Sequence, residues 1–271
     1  MHAVGPADGP APPPVPAPEP PPPDSPPHRP AEPRLLAAAP AFAAAAGLVV
    51  WGAASSFLPA PPLRVDVMLS SALVLALLAV LVWGLLPLQR LGRRLPLLAL
   101  VALPLAVLFV WLGWVPLANV AKVVAAAALG IWIAGELERL SWIVIVAAVS
   151  AVVDIVSVAA GPTKAIIGQG PVVVGYFTVA ITWMGYSYTE AFSGLGISDV
   201  IFFSLYLGTA TRFGLRTGWS AVAMTGSFLV TIALAMWWTA LPALPLLSVA
   251  FLAVNADLLV EKLRRPAPGD G

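Results

Sequence analysis

Two aspartates stand inside long apolar stretches of the chain, where a carboxyl group is costly and usually marks a functional site. Asp154 lies in SAVVDIVSVAAGP and Asp199 lies in SGLGISDVIFFSL. Carboxyl groups held close together resist simultaneous ionisation, so a pair can share one proton. One group can then take a proton from water while the other protonates or polarises a carbonyl. A pair of this kind could catalyse the attack of water on a carbonyl group.

The composition excludes several other kinds of chemistry. The chain has 271 residues, of which 60% are hydrophobic and 10% are charged, with a net charge of +1. A soluble domain carries roughly 25% charged residues, so this is a polytopic membrane protein, and its few charges provide no footprint for nucleic acid. There is no cysteine, and both histidines, His2 and His28, precede the first apolar segment. Cysteine nucleophiles, thiolate metal sites and a Ser-His mechanism therefore lack the residues they need.

Apolar windows set the expected fold, because one membrane-spanning helix needs about 20 mostly apolar residues. Eight windows of the chain meet this requirement. One more apolar stretch, residues 171–187, is shorter and rich in Val, Ile, Thr, Tyr and Phe, which favours strand, re-entrant or interfacial structure over a ninth helix. We expect an all-α bundle of about eight transmembrane helices, or nine if that stretch also crosses. The eight windows fall at about 35–59, 67–89, 95–113, 116–135, 141–160, 194–213, 218–240 and 243–260.

The chain divides into four segments by composition. Residues 1–34 form a proline-rich tail that we expect to be disordered, since 15 of the 29 prolines lie among the first 33 residues. Residues 35–137 hold the N-terminal transmembrane helices, and residues 138–261 hold the candidate catalytic core. Residues 262–271 form a short basic tail.

Basic residues in the connections predict the direction of the spans. With the N-terminus in the cytoplasm, eleven Lys and Arg residues fall inside and only Arg64 and Lys164 fall outside. Lys122 lies within the fourth window, where it is expected to extend to the nearby outer interface. The pattern predicts a multi-pass protein of the plasma membrane with both termini in the cytoplasm.

The two aspartates are expected at a similar depth in the bilayer. Asp154 lies about seven residues before Gly161, where its window ends, and Asp199 lies five residues after Gly194, where the next long window begins. The two helices run antiparallel, so at 1.5 Å per residue both carboxyls lie roughly 7 to 11 Å from the same end. They can therefore face each other.

The start of the last window lies on that same side. Pro242, Ala243 and Leu244 belong to LPALPLL, in which two prolines interrupt the start of a helix. Backbone groups left unpaired at membrane depth are tolerated only where protein or a wet cavity surrounds them. This segment is therefore expected to border a cavity beside the two carboxyls.

Three segments share their order and spacing with a known family: LERLSWIVIVAAVSAVVDIVSVAAGPTKAI, GLGISDVIFFSLYLGTATRFG and LPALPLLSVAF. They resemble the YD helix, the GxGD helix and the PAL motif of the presenilin and signal peptide peptidase class of intramembrane aspartic proteases. The resemblance covers about residues 135–260. The N-terminal spans resemble that family only in being apolar windows, without shared motifs.

The resemblance implies roles for seven residues. Asp154 and Asp199 would be the catalytic dyad, without a cofactor or a metal. The substrates would be single-span transmembrane or signal-peptide-like peptides, and residues 171–187 would pair with an unwound substrate by strand addition. Five residues would border the substrate: Gly196, Ser198, Pro242, Ala243 and Leu244.

The chain departs from the family pattern at several points. Val153 replaces the tyrosine before the first aspartate, and Ser198 replaces a glycine before the second, although serine is small enough for close helix packing. We count eight spans where the family usually has nine. The predicted direction matches signal peptide peptidase and is opposite to presenilin, which favours substrates whose N-termini are cytoplasmic.

Two alternatives remain open at this stage. A proton-coupled transporter could use the same two acids as a relay, although the first half of the chain holds no matching acids for an inverted repeat. A catalytically inactive relative could act as a membrane binding protein. Asp257 lies nearer a helix end and is left out of the site. The sequence defines no oligomeric state.

Overall fold

The computed structural model of the protein describes residues 34–160, 171–187, 192–237 and 241–264. The proline-rich tail up to residue 33, Lys164, Glu190 and the basic tail beyond Arg264 lie outside these ranges. The expectation that the tail is disordered therefore stays a prediction.

The described residues form nine α-helices and one pair of short strands. The helices run in chain order with short connections, two of which are 3₁₀ turns at Ser55–Phe57 and Leu86–Arg94. The elements are α1 (Arg34–Ala54), α2 (Leu63–Leu85), α3 (Leu95–Trp111), α4 (Val115–Glu136), α5 (Ser141–Ala160), α6 (Pro171–Phe177), β1 (Thr178–Thr182), β2 (Phe192–Gly196), α7 (Ile197–Arg212), α8 (Thr217–Ala235) and α9 (Leu244–Arg264).

Six segments of the described chain are long and apolar enough to cross a membrane. The longest, Leu63–Trp111, contains both α2 and α3, and the others correspond to α1, α4, α5, α8 and α9. The predicted all-α, multi-pass membrane fold is confirmed, with a small sheet added to it. The helix α7 has 16 residues and is not among the six.

The most extensive helix contact joins α4 to α7. Small residues allow it: a Cβ built on Gly130 would lie 2.1 Å from Ser204 Oγ and 2.3 Å from the Ile201 carbonyl oxygen. One turn further along, a Cβ on Gly208 would lie 2.8 Å from that of Ala134. Small residues spaced four apart let two helix backbones approach closely, which is how membrane helices pack without a hydrophobic driving force. This contact fixes the helix that carries Asp199.

A buried tyrosine links α7 to the two helices on its other side. The Tyr206 hydroxyl lies 3.2 Å from Ser150 Oγ of α5 and 2.9 Å from Ser248 Oγ of α9. Its ring stacks on Phe251 with a centroid distance of 4.8 Å. Ser150 lies one helical turn before Asp154, so Tyr206 connects the helices that carry the two aspartates.

Residues 171–187 form a short helix followed by a strand. The strand β1 pairs with β2 in antiparallel register, with Ala180 opposite Gly194. The prediction of strand structure is confirmed for residues 178–182, while residues 171–177 are helical. The prediction that a long helix begins at Gly194 is wrong, because this residue belongs to β2 and α7 begins at Ile197. Pairing with a distant segment keeps Gly194 extended.

Candidate functional site

Asp154 is anchored at the start of the last helix. It lies on α5, six residues before Ala160, and is partly buried. Its Oδ2 accepts a hydrogen bond from the backbone N–H of Leu244 at 3.0 Å. The first N–H groups of a helix have no partner within the helix, and Leu244 is the first residue of α9. The proline-containing segment thus presents a backbone donor to this carboxyl.

Asp199 is held by the segment that precedes its own helix. It is the third residue of α7 and is only 9% exposed. Its Oδ2 accepts a hydrogen bond from the backbone N–H of Gly196 at 3.1 Å, as an acidic residue in the first turn commonly does. A Cβ on Gly196 would lie 3.0 Å from that oxygen. The glycine therefore leaves room for this orientation of the carboxyl.

Both aspartates line one cavity of about 1450 Å³. Its wall is mostly apolar and is built from α2, α3, α5, α6, α7, α8, the sheet and the segment that precedes α9. The described wall residues carry three charged groups, Asp154, Asp199 and Arg64, and the Arg64 guanidinium lies over the ring of Trp237 at 5.8 Å. Few polar groups converging in a large apolar cavity are typical of a binding or catalytic site.

The cavity brings together most of the predicted site residues. Leu244 contributes through its backbone N–H, while its side chain is buried in the core. Val153, which departs from the family pattern, is 58% exposed and does not line the cavity. Six predicted residues line the wall: Asp154, Gly196, Ser198, Asp199, Pro242 and Ala243.

The equal depth of the two aspartates in a bilayer stays a prediction, but the structure changes one of its premises. Asp154 lies about 9 Å from the end of its helix, as expected, whereas Asp199 lies only about 3 Å from the start of α7. The two carboxyls nevertheless line the same cavity. Asp199 lies closer to the start of its helix than expected because β2 occupies the residues that were expected to form the first turn of that helix.

The prediction for Lys122 is wrong. Its side chain is 3% exposed and donates hydrogen bonds to the carbonyls of Gly175 at 2.5 Å and Thr178 at 2.8 Å. The lysine is therefore fixed inside the protein and does not extend to the interface. The sequence did carry a signal for this burial. Lys122 is an ionisable residue within an apolar window, and such a residue usually has a buried partner.

Sequence reasoning also missed Asp66. This residue is fully buried in the first turn of α2, one position before the window expected for that span. Its Oδ1 accepts hydrogen bonds from Ser70 Oγ at 2.7 Å and from the backbone N–H of Met184 at 3.0 Å. Within the described part of the chain its Oδ2 has no partner. Asp66 does not line the cavity and ties α2 to the turn after β1.

The described residues contain no group of three or more His, Asp or Glu side chains that could hold a metal ion. Comparison of the chain with protein-family models, with curated proteins and with solved structures found no match.

Proposed function

We propose that this protein is an intramembrane aspartic endopeptidase that cleaves single-span transmembrane or signal-peptide-like substrates. The observation that carries the proposal is the shared cavity, in which Asp154 and Asp199 come from separate helices and each accepts a backbone N–H. A structural acid at such a depth would be expected to face a partner side chain rather than a cavity.

The arrangement suits the addition of water to a peptide bond. The ionised carboxyl of the pair takes a proton from a water molecule, whose oxygen attacks the carbonyl carbon of the substrate. The protonated carboxyl gives its proton to the carbonyl oxygen. The tetrahedral intermediate then collapses: the C–N bond breaks, the leaving nitrogen receives a proton from the first carboxyl, and one hydroxyl of the intermediate returns a proton to the second carboxyl. The backbone donors Leu244 and Gly196 keep the two carboxyls oriented through these steps.

The sheet beside the dyad offers a place for an unwound substrate. Residues Ser193–Gly196 of β2 line the cavity together with Thr178 and Ile181 of β1. A peptide that adds to a sheet edge gains affinity from backbone hydrogen bonds. Strand addition also exposes the scissile bond, which a helix would shield from water.

We propose eight membrane spans: α1, α2, α3, α4, α5, α7, α8 and α9. The segment Leu63–Trp111 supplies two of them, and α7 is short because β2 covers its first turn. The bias of Lys and Arg places both termini in the cytoplasm and the sheet on the outer side of the plasma membrane. A reporter fused at Lys164 should then be accessible from outside the cell. A signal from the cytoplasm would show that the spans have the opposite orientation.

The proposed activity is tested with purified protein and a library of single-span peptides in proteoliposomes. Cleavage by the wild type should be lost, by about 10³-fold or more, in Asp154→Asn and in Asp199→Asn. Cleavage that persists in both variants would rule out the dyad. If the wild type cleaves nothing but shows proton-linked uptake that both variants lose, the protein is a transporter instead.

A further inference from the structure

The strand β1 has two edges, and the one away from β2 is filled by a side chain of α4. The amide of Asn119 donates to the Ala180 carbonyl at 2.8 Å and accepts from the Ala180 N–H at 3.0 Å. This pair of bonds is the one a neighbouring strand would make. A single buried asparagine thus replaces a third strand at the centre of β1.

Lys122, on the same helix, fills the start of that edge. Its ammonium group donates to the carbonyls of Gly175 and Thr178, at the junction between α6 and β1. The last carbonyls of a helix lack partners within it, and a lysine near a helix C-terminus can supply the missing donors. No ion pair to Lys122 occurs among the described residues, so these two carbonyls are its anchors.

The far end of the same edge is held by α1 and by the 3₁₀ turn that follows it. The indole of Trp51 donates to the Thr182 carbonyl at 3.3 Å, and Ser55 Oγ donates to Thr182 Oγ1 at 3.0 Å. The backbone N–H of Gly185 donates to the Ser55 carbonyl at 2.9 Å. Along its length, the outer edge of β1 is therefore occupied by side chains of the first half of the chain.

The register of the sheet shows which edge an extended peptide could join. The N–H and C=O of one residue in an antiparallel strand point to the same side. Those of Ala180 point away from β2, so those of its partner Gly194 point away from β1, and Gly194 lines the cavity. Two residues further on, the N–H of Gly196 points to the same side and donates to Asp199. Among the described residues no hydrogen bond fills this edge of β2 at Gly194, and the edge leads to the second aspartate.

We infer that Asn119 and Lys122 are positioning residues that close the outer edge of β1 and so direct an extended peptide to the edge of β2 beside Asp199. The role rests on the proposed peptidase function. Neither residue lines the cavity, so both act through the sheet rather than on a substrate. Removing either one should free the strand while leaving the two carboxyls in place.

The first test is kinetic and uses Asn119→Leu and Lys122→Met, which remove the hydrogen bonds while keeping the side chains of similar size. The probe is a peptide with one span of about 20 Leu and Ala residues, cleaved in proteoliposomes. We expect KM to rise about ten-fold in each variant, since hydrogen bonds to a buried sheet edge are lost. The affinity for a hydroxyethylene dipeptide isostere, which is short enough to contact only the carboxyls, should stay within about two-fold. Lys122→Arg should recover part of the loss.

The matched control is Asn255→Leu. Asn255 is also fully buried and makes three hydrogen bonds, to Arg216 N, Ser220 Oγ and the Phe251 carbonyl, but its partners lie at the start of α8 and within α9 rather than in the sheet. This variant should lose thermal stability without a rise in KM. Unchanged KM in the folded Asn119 and Lys122 variants would overturn the inference. So would a fall in inhibitor affinity that matches the rise in KM, because the variants would then disturb the dyad itself.

A second measurement separates the inference from the proposed function. Amide hydrogen exchange of residues 178–182 in the purified protein needs no substrate. Exchange should be faster in Asn119→Leu and Lys122→Met than in the wild type, and unchanged in Asn255→Leu. Unchanged exchange in the first two variants would remove the inference even if the protein is a peptidase. If the wild type cleaves no transmembrane peptide, the proposed peptidase function is wrong. The role of Asn119 and Lys122 in directing a substrate is then wrong too, whatever the exchange shows.

Discussion

The two ends of the helical bundle differ in the partners of their charged residues. At the end formed by the termini of α4 and α7 and the start of α8, which we call the basic end, Arg212 donates to the carbonyls of Ala134 and Gly135. Lys262 donates to the Phe213 carbonyl at 2.9 Å. Arg216 forms a salt bridge of 2.6 Å with Asp257, and both side chains are about half exposed. Charges at this end complete helix termini and face solvent.

At the other end, which contains β1 and β2 and which we call the sheet end, charges are held by neutral backbone groups. Asp154 and Asp199 each accept a backbone N–H, and Lys122 donates to two carbonyls. No ion pair joins these residues within the described chain. A carboxyl that is oriented but not neutralised by a cation stays available for proton transfer. The two ends therefore differ in the partners of their acids: backbone N–H groups orient Asp154 and Asp199, whereas Arg216 neutralises Asp257.

After the loss expected on replacing either aspartate, the largest expected effect comes from adding a methyl group beside Asp199. Gly196→Ala places a Cβ 3.0 Å from Asp199 Oδ2 and 3.2 Å from Ser198 Oγ. The carboxyl must shift by a few tenths of an ångström, and since a misplacement of about 1 Å can cost about 10²-fold in rate, we expect a cost of about ten-fold. We therefore expect kcat for a single-span peptide to fall by about that factor.

The control for that variant lies at the basic end. Gly214 has a φ of 61°, so Gly214→Ala is strained by about 1 kcal/mol although its site is open. Thermal unfolding in detergent should report lower stability, and kcat should stay unchanged. Equal losses of kcat in the two variants would erase the distinction between the ends.

The next effect concerns the helix pair that joins the two ends. Gly130→Ala forces α4 away from α7, because its Cβ would overlap Ser204 and the Ile201 carbonyl. Overpacking of this kind costs typically about 1 to 3 kcal/mol, measured as a lower midpoint of thermal unfolding. Gly135→Ala, on the same helix with nothing within 4 Å, should leave the midpoint unchanged. A stable Gly130→Ala variant would show that the contact is looser than described.

A smaller effect is expected when the bridge between the aspartate helices is removed. Tyr206→Phe deletes the hydroxyl that contacts Ser150 and Ser248. Each lost hydrogen bond is worth about 1 kcal/mol, so the free energy of unfolding should fall by about 1 to 2 kcal/mol and kcat by several-fold. Tyr186→Phe provides the comparison, since its ring packs edge-on against Trp183 and, within the described ranges, its hydroxyl joins no two helices. Activity that is equal in the two variants would contradict a link through Tyr206.

The smallest effect is expected at the salt bridge of the basic end. Exposed ion pairs contribute about 0 to 1 kcal/mol, because solvent screens them and long side chains lose entropy. Asp257→Asn should therefore change the unfolding midpoint little, and its rate of cleavage should equal that of the wild type. A loss of activity approaching that of Asp154→Asn would place chemistry at both ends.

The sequence by itself determined the helical membrane fold and the identity of the candidate acids. A bilayer core requires every backbone group to be paired within its segment, so length and hydropathy define a span locally. The bounds of α5 match the predicted window 141–160, and those of α4 differ from 116–135 by one residue at each end. An acid inside such a window is visible for the same reason.

Only the tertiary structure decided how the site is built. Whether Gly194 starts a helix or extends a strand depends on a partner, Ala180, that lies outside its own segment. The buried position of Lys122 depends on carbonyls more than 50 residues away along the chain. Strand pairing and side-chain capping satisfy backbone groups across the fold, and apolar periodicity carries no information about those distant partners.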